Sequence, residues 1–283
     1  MNVKYLSIKN LKRRPLRTAA LLIVVFFLTA AVFGGMVVIT SLQNGLEGLE
    51  QRLGADIIVV PESAQAKVDL ENILLQGTPG YFYMDKSIQQ ELSGIDGIEK
   101  LSSQYFLVSA NAECCTVQVQ IIGFDDKTDF TVKPWLEKSY SGRLGSNEII
   151  VGSGLATRVG HSLKLYGVEC KAVGKLEPTG TGLDTAVYTT NDTVRSLIKA
   201  AEAGGIKVLS KQSPDDMISS VYIKAKKGVD ISDIVSRINL ETDGVQAVRT
   251  KPMITETADR LDTIRVSVTA LMLAVWLLAA VIM

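Results

Sequence analysis

The chain has 283 residues, 47% of them hydrophobic, and its 30 basic residues are balanced by 30 acidic ones. That length admits about two domains, and the absence of a basic stripe excludes a nucleic-acid-binding footprint. Three cysteines, Cys114, Cys115 and Cys170, exclude a disulfide framework.

The zero net charge hides a split. Lys4, Lys9, Lys12, Arg13, Arg14 and Arg17 stand in the first 17 residues with no acidic neighbour. The stretches Thr18–Gly45 and Val266–Met283 carry no charge, so the residues between them sum to −6. Residues 1–17 read as a basic amphipathic segment suited to an anionic leaflet. Ala19 to Ile39 is an apolar run of about the 20 residues needed to cross a bilayer, and longer than the roughly 7–15 residues of a signal peptide core. The basic residues ahead of it, Lys9, Lys12, Arg13, Arg14 and Arg17 above all, predict a cytoplasmic N-terminus. Pro15 fits the first turn of such a helix. Ala30 with Gly34, and Ala31 with Gly35, put small residues four apart, a spacing that lets another helix approach.

Leu42, Leu46, Leu49 and Leu53 continue the helix at steps of 4, 3 and 4, the seam of a coiled coil. Gly45 and Gly48 weaken it by roughly 1 kcal/mol each, and Gly54 ends it. At the other end, Pro252 opens a helix in which Ile254, Leu261, Val268 and Val275 recur every seven residues, flanked by Ala258 and Ile264. Residues 18–53 and 252–283 therefore each predict a membrane helix extended into a stalk. The seams Leu42, Leu46, Leu49, Leu53 and Ile254, Ala258, Leu261, Ile264 are expected to pack antiparallel, because an unpaired stalk would expose both apolar strips to water.

Between the stalks the period changes to two. Asp56 to Val60 is a short buried strand ending at Pro61. Val68 to Tyr83 gives no clear signal before the turn at Thr78-Pro79-Gly80. Asp85 is expected to cap a helix through Ser93, with Ile88 and Leu92 on one face. Leu101–Ala110 and Cys114–Gly123 predict strands joined at Asn111, followed by a polar loop from Asp125 to Ser146. Glu148–Val151 and Leu163–Tyr166 predict strands with a helical turn near Leu155 between them. Val168–Leu176 and Ala186–Thr189 follow, separated by the glycine-rich turn Pro178–Gly182. Asn191 is expected to cap a helix carrying Val194, Leu197, Ile198 and Ala201 and closed at Gly204. Ser219–Ala225 predicts a strand, Ile231–Leu240 a helix and Val245–Arg249 a last strand. Residues 54–123 and 213–251 thus predict an α/β lobe, into which a mainly-β lobe, residues 124–212, is inserted.

No constellation in the chain carries catalysis, and neither an enzyme nor a bound cofactor is expected. His161, the single histidine, stands in a turn. His161 with the three cysteines matches no zinc-ligand spacing. Gly152-Ser153-Gly154 follows a strand, but no Lys-Ser or Lys-Thr follows as a phosphate loop requires. Asp125, Asp126 and Asp129 lack the glycine and the distal glutamate of a calcium loop. The cysteines read as small buried apolar residues.

The layout resembles the MacB/FtsX-like family of ABC transporter permeases. The basic segment Asn10–Thr18 is similar to the family's approach to its first span, and Gly54–Val60 to the strand that opens its external domain. Glu148–Ala156, Gly160–Leu165, Val173–Leu176 and Val187–Thr189 continue in the family's order. The resemblance implies an α+β membrane protein of the bacterial cytoplasmic membrane, with two spanning helices flanking a two-lobed extracytoplasmic domain, residues 46–265 outside. It implies dimers of permease subunits, an ABC-type ATPase, separate or fused, as partner, no nucleic acid, and stalks that carry motion outward. Family members have two further spans, so the chain reads as a fragment of a longer permease. The competing class is a membrane-anchored binding or sensor module without an ATPase.

Overall fold

The computed structural model describes residues 54–109, 118–136, 140, 142–179, 181–208 and 213–252, with scattered positions in 15–41 and 263–270. The chain falls into two compact units, Met1–Asn44 with Thr255–Met283, and Gly45–Ile254.

In the first unit every described position is helical. Leu22, Ile23, Phe26, Phe27, Phe33 and Val37 are exposed, whereas Val32 is buried. The Thr29 hydroxyl donates to the Val25 carbonyl one turn back, which satisfies it within the helix. Among the described residues no helix is long and apolar enough to cross a membrane. The basic residues Lys9, Lys12, Arg13, Arg14 and Arg17 lie outside the described residues. So do the stalk positions Leu42, Leu46, Leu49, Leu53, Ile254, Ala258, Leu261 and Ile264, and Cys114 and Cys115.

The second unit is built on a mixed sheet. Its strands are β1 (Ile57–Pro61), β2 (Met84–Asp85), β3 (Ile98–Val108), β4 (Gln120–Phe124), β5 (Glu148–Val151), β6 (Ser162–Leu165) and β7 (Val168–Lys175). They continue with β8 (Ala186–Thr190), β9 (Met217–Ile218), β10 (Ser220–Ala225) and β11 (Val245–Arg249). Its helices are α1 (Ala64–Glu71), α2 (Ile88–Ser93), α3 (Lys133–Leu136), α4 (Asn191–Ala203) and α5 (Ile231–Glu241). Nine strands form one sheet in the order β11-β1-β10-β3-β4-β8-β5-β7-β6, and β2 pairs β9 in a separate ribbon. The β4–β8 and β5–β7 pairs are parallel and the others antiparallel. The strands of residues 148–190 thus extend the same sheet, joined through the register Ile121↔Val187 and Ile122↔Tyr188.

Two apolar clusters lie beneath the helices. One gathers Ile57, Val59, Val221, Ile223 and Val245 under Ile88 and Leu92 of α2 and Ile234 and Ile238 of α5. The other gathers Leu107, Ile121, Ile149, Val151 and Val187 under Val194, Leu197 and Ile198 of α4. Strand alternation turns Ile58, Tyr222, Phe106, Ile122 and Tyr188 to the opposite face, where they are also buried. The cover on that face comes from the helical stretch of residues 64–76, the short α3 and the 3₁₀ turn Gly182–Thr185, whose Leu74, Trp135 and Leu183 meet Ile122, Tyr188 and Tyr222.

That cover is where the structure departs from the sequence reading. Residues 64–76 are helical, ending in a π-turn at Asn72–Gln76 that buries Ile73, Leu74 and Leu75. Ser63 caps the start by accepting from Ala66 N, and Gly77 at φ 71 ends it. The expected loop Asp125–Ser146 contains α3, which buries Trp135 and Leu136. Near Leu155 the chain makes an irregular turn and no helix.

Two caps also shift by one or two residues. Asp85 sits in β2, and its carboxylate accepts from Ser87 N just ahead of α2. Thr190 caps α4 by accepting from Thr193 N. Asn191 is the first helical residue, and its Nδ2 donates to the Ser103 carbonyl.

Candidate functional site

The motifs that suggested chemistry are occupied by the fold itself. Gly152 N donates to Ala186 O and Gly154 N to Asp184 O, so these amides do not form a phosphate cradle. A Cβ on Gly152 would lie 2.3 Å from the Asp184 carbonyl oxygen, so the glycine is required by close backbone approach. His161 lies exposed in its turn. Cys170 is buried on β7, and burial pushes its thiol up to about 11, which holds it as an inert thiol at neutral pH. Among the described residues no three His, Cys, Asp or Glu side chains form a metal-holding group.

The three aspartates of the 125–129 loop each have a structural role. Asp125 accepts from Lys127 N. Asp126 pairs with Lys133 at 2.9 Å and faces Arg143 at 3.8 Å. Asp129 accepts from Val132 N and Lys133 N and from the Thr131 hydroxyl, which pins the start of α3 to the sheet. Thr131 in turn accepts from Gln104 Nε2 on β3.

Beneath this loop lies a cavity of about 20 Å³, lined by Leu74, Gln104, Ile122, Trp135, Tyr188 and Tyr222 among others. It has room for about one water molecule, and no organic substrate fits. On the helical face, Arg195 of α4 lies 5.8 Å from the Tyr105 ring centre and pairs with Asp192. Tyr83 meets Tyr105 edge-on at 5.6 Å. These contacts consolidate packing, and Asp192 and Arg195 also line an open groove of about 450 Å³ with Ser103, Asp125, Asp126 and Asn147.

Asp129 offers a direct check on the cover. Burial raises its pKa above the ordinary 3.8, and the three donors only partly offset this. The native state therefore holds the proton more tightly than the unfolded chain. Stability should fall as pH rises from 3.8 through the raised value, and level off above it. An NMR titration should place the Asp129 midpoint above 3.8; a midpoint at 3.8 would mean that the loop is open to water, and one below it that the hydrogen bonds outweigh burial.

Comparison with known families adds what the geometry alone does not give. The sequence matches the family described as the MacB-like periplasmic core domain over residues 18–240. The chain belongs to this family. The MacB-like match opens at the start of the first uncharged stretch, takes in β1 to β10 and stops in the last turn of α5, ahead of β11. It agrees with the MacB/FtsX-like permease resemblance carried by Gly54–Val60 and Glu148–Ala156. By this membership the Gly45–Ile254 unit is an extracytoplasmic domain of an ABC-type transporter family.

Among solved structures, the chain is similar to the periplasmic region of MacB from Actinobacillus actinomycetemcomitans. The identity is 9%, with 75% of this chain and 98% of that one covered at a TM-score of 0.43. It is also similar to the extracellular domain of the ABC-type transporter YknZ from Gram-positive bacteria. There the identity is 13%, with 69% and 100% covered at a TM-score of 0.37. No curated protein matches the chain. Membership therefore rests on the sequence match.

Proposed function

We propose that the chain is the permease part of an ABC transporter of the MacB/FtsX-like type, which couples ATP use by a partner ATPase to motion of the outer domain. The observation that carries this reading is the family match across residues 18–240, which takes in the uncharged stretch from Thr18 as well as β1 to β10. Exposed Phe26, Phe27 and Phe33 on helical positions add support, since side chains of this kind belong in lipid. In this reading the chain itself hydrolyses nothing. Its N-terminus is cytoplasmic, residues 18–53 and 252–283 span and extend as stalks, and two permease subunits work together. The stalk seams, Leu42, Leu46, Leu49 and Leu53 against Ile254, Ala258, Leu261 and Ile264, transmit tilt as one rigid pair.

The test is purification of the full gene product in detergent from its own membranes. An ATPase with a Walker motif should copurify, and a Leu49→Cys/Leu261→Cys pair or its neighbours one turn away should crosslink. In intact cells Leu240→Cys, on an exposed position of α5, should react with a membrane-impermeant thiol reagent. Absence of any ATPase would favour a membrane-anchored binding module instead. An ATPase with no crosslink would refute the stalk pairing, and an unreactive Leu240→Cys the topology.

A further inference from the structure

The Gly45–Ile254 unit receives the chain and releases it at one spot. Gly54, at φ 59, turns the incoming chain toward β1. Asp56 lies one residue ahead of the last paired rung on both sides of that strand, Ile57↔Ile223 and Ile57↔Arg249. Its backbone serves both neighbours: Asp56 N donates to Ile223 O at 2.9 Å, and Thr250 N donates to Asp56 O at 3.0 Å. Thr250 is the first residue of the outgoing chain after β11.

The side chain of Asp56 extends the ladder further. Oδ2 accepts from Ala225 N at 2.9 Å, and Oδ1 accepts from Lys224 Nζ at 3.1 Å. Lys224 and Ala225 flank a bulge, because they face Lys100 and Ile98 of β3 and leave Glu99 over. Such a step interrupts the ladder and frees it to bend. The carboxylate gives the Ala225 N–H a charged acceptor where β1 supplies no further rung. Charge-assisted bonds of this kind are about twice as strong as neutral ones.

We propose that Asp56 is a clamp that makes the incoming and outgoing chain a single mechanical attachment. A displacement of either flanking segment then reaches β1, β10 and β11 together, and the sheet turns as a body without fraying at its base. Asp56 is a positioning residue in this scheme. The mechanical consequence rests on the permease reading, whereas the clamp itself is a local property.

Amide hydrogen exchange on the full chain in detergent separates the two. Asp56→Ala should speed exchange at Ala225 by roughly ten- to hundredfold, the range expected for losing a hydrogen bond to a charged group. Ile58 and Tyr222, in the middle of their strands, should be unchanged. Asp56→Asn keeps an oxygen acceptor and should leave Ala225 within a few-fold of the parent. An unaltered Ala225 in Asp56→Ala, or equal loss in Asp56→Asn, would overturn the clamp. So would a uniform rise across the sheet, which would mark Asp56 as a general stability residue.

In complex with the partner ATPase, adding ATP should change exchange in β1, β10 and β11 together in the parent. In Asp56→Ala the change should persist in β1 and β11, which stay joined by main-chain bonds, and be lost from the Lys224–Ala225 end of β10. A full three-strand response in Asp56→Ala would overturn the mechanical role. An ATP-silent parent with the Ala225 effect intact would refute the permease reading and leave the clamp standing.

Discussion

Gly182→Ala is expected to destabilise the outer domain by about 3 kcal/mol or more, the upper range for overpacking. A Cβ at Gly182 would fall 2.0 Å from Gly77 N, 2.3 Å from Gly77 Cα and 2.8 Å from Ile73 O. All three are backbone atoms, so no side chain can rotate away to make room. The π-turn Asn72–Gln76 and the 3₁₀ turn Gly182–Thr185 touch main chain to main chain there. Separating them would lift the cover from Ile122 and Tyr188 and expose buried apolar surface. For a domain of about 200 residues, each kcal/mol lowers Tm by about 2–4 °C, so the variant should melt roughly 6–12 °C early. Gly94→Ala is the control, because its added methyl would meet only Glu91 O, at 3.4 Å. Equal melting of the two variants would show that the turns do not meet.

Trp135→Ala should cost about 3–5 kcal/mol, as for other buried aromatic truncations. The indole is buried and meets the Tyr188 ring edge-on, 5.4 Å between centres at 80°. It is the main apolar anchor of a four-residue helix, too short to hold itself without tertiary packing. Trp135→Phe, which keeps an aromatic ring against Tyr188, should recover more than half of the loss. Urea unfolding monitored by circular dichroism measures both. A cost below about 1 kcal/mol for Trp135→Ala would place the segment on the surface rather than in the cover.

Much of the sheet was legible in the sequence because it depends on local signals. Ile57–Val60 and Glu148–Val151 announce themselves as short apolar runs, and α4 and α5 as helical stripes, although the cap expected at Asn191 falls on Thr190. The strand order was not legible, since the β4–β8 pair joins residues more than sixty positions apart and nothing local encodes that choice. Helix α1 was missed although Ala66, Leu70, Ile73 and Leu74 share a buried side. Gly77 and Pro79 follow so closely that the stretch gives no clear helical signal. Trp135 was hidden for the opposite reason: a buried aromatic sits beside a run of aspartates and lysines whose charges pair locally. In Asp56 the sequence offered a family motif, and only the three-dimensional neighbours Ala225 and Lys224 give the carboxylate a task. The motifs at Gly152–Gly154 and Asp125–Asp129 were excluded as sites on spacing alone. The structure adds what occupies them, namely the Asp184 carbonyl and the amides of α3.

The hydrogen bond from Thr250 to Asp56 has a consequence for how such proteins diversify. A sheet that releases its chain where it received it, as many domains do with their termini, behaves as a cassette. It can be set between two consecutive segments of a host protein without dictating their separation. The segments on either side need change only in the few residues that meet at this seam. Loops at the far end of the sheet, such as 153–161 beyond β5, can then lengthen or shorten without altering the seam. Novelty in what the outer part recognises is thereby insulated from the part that anchors it.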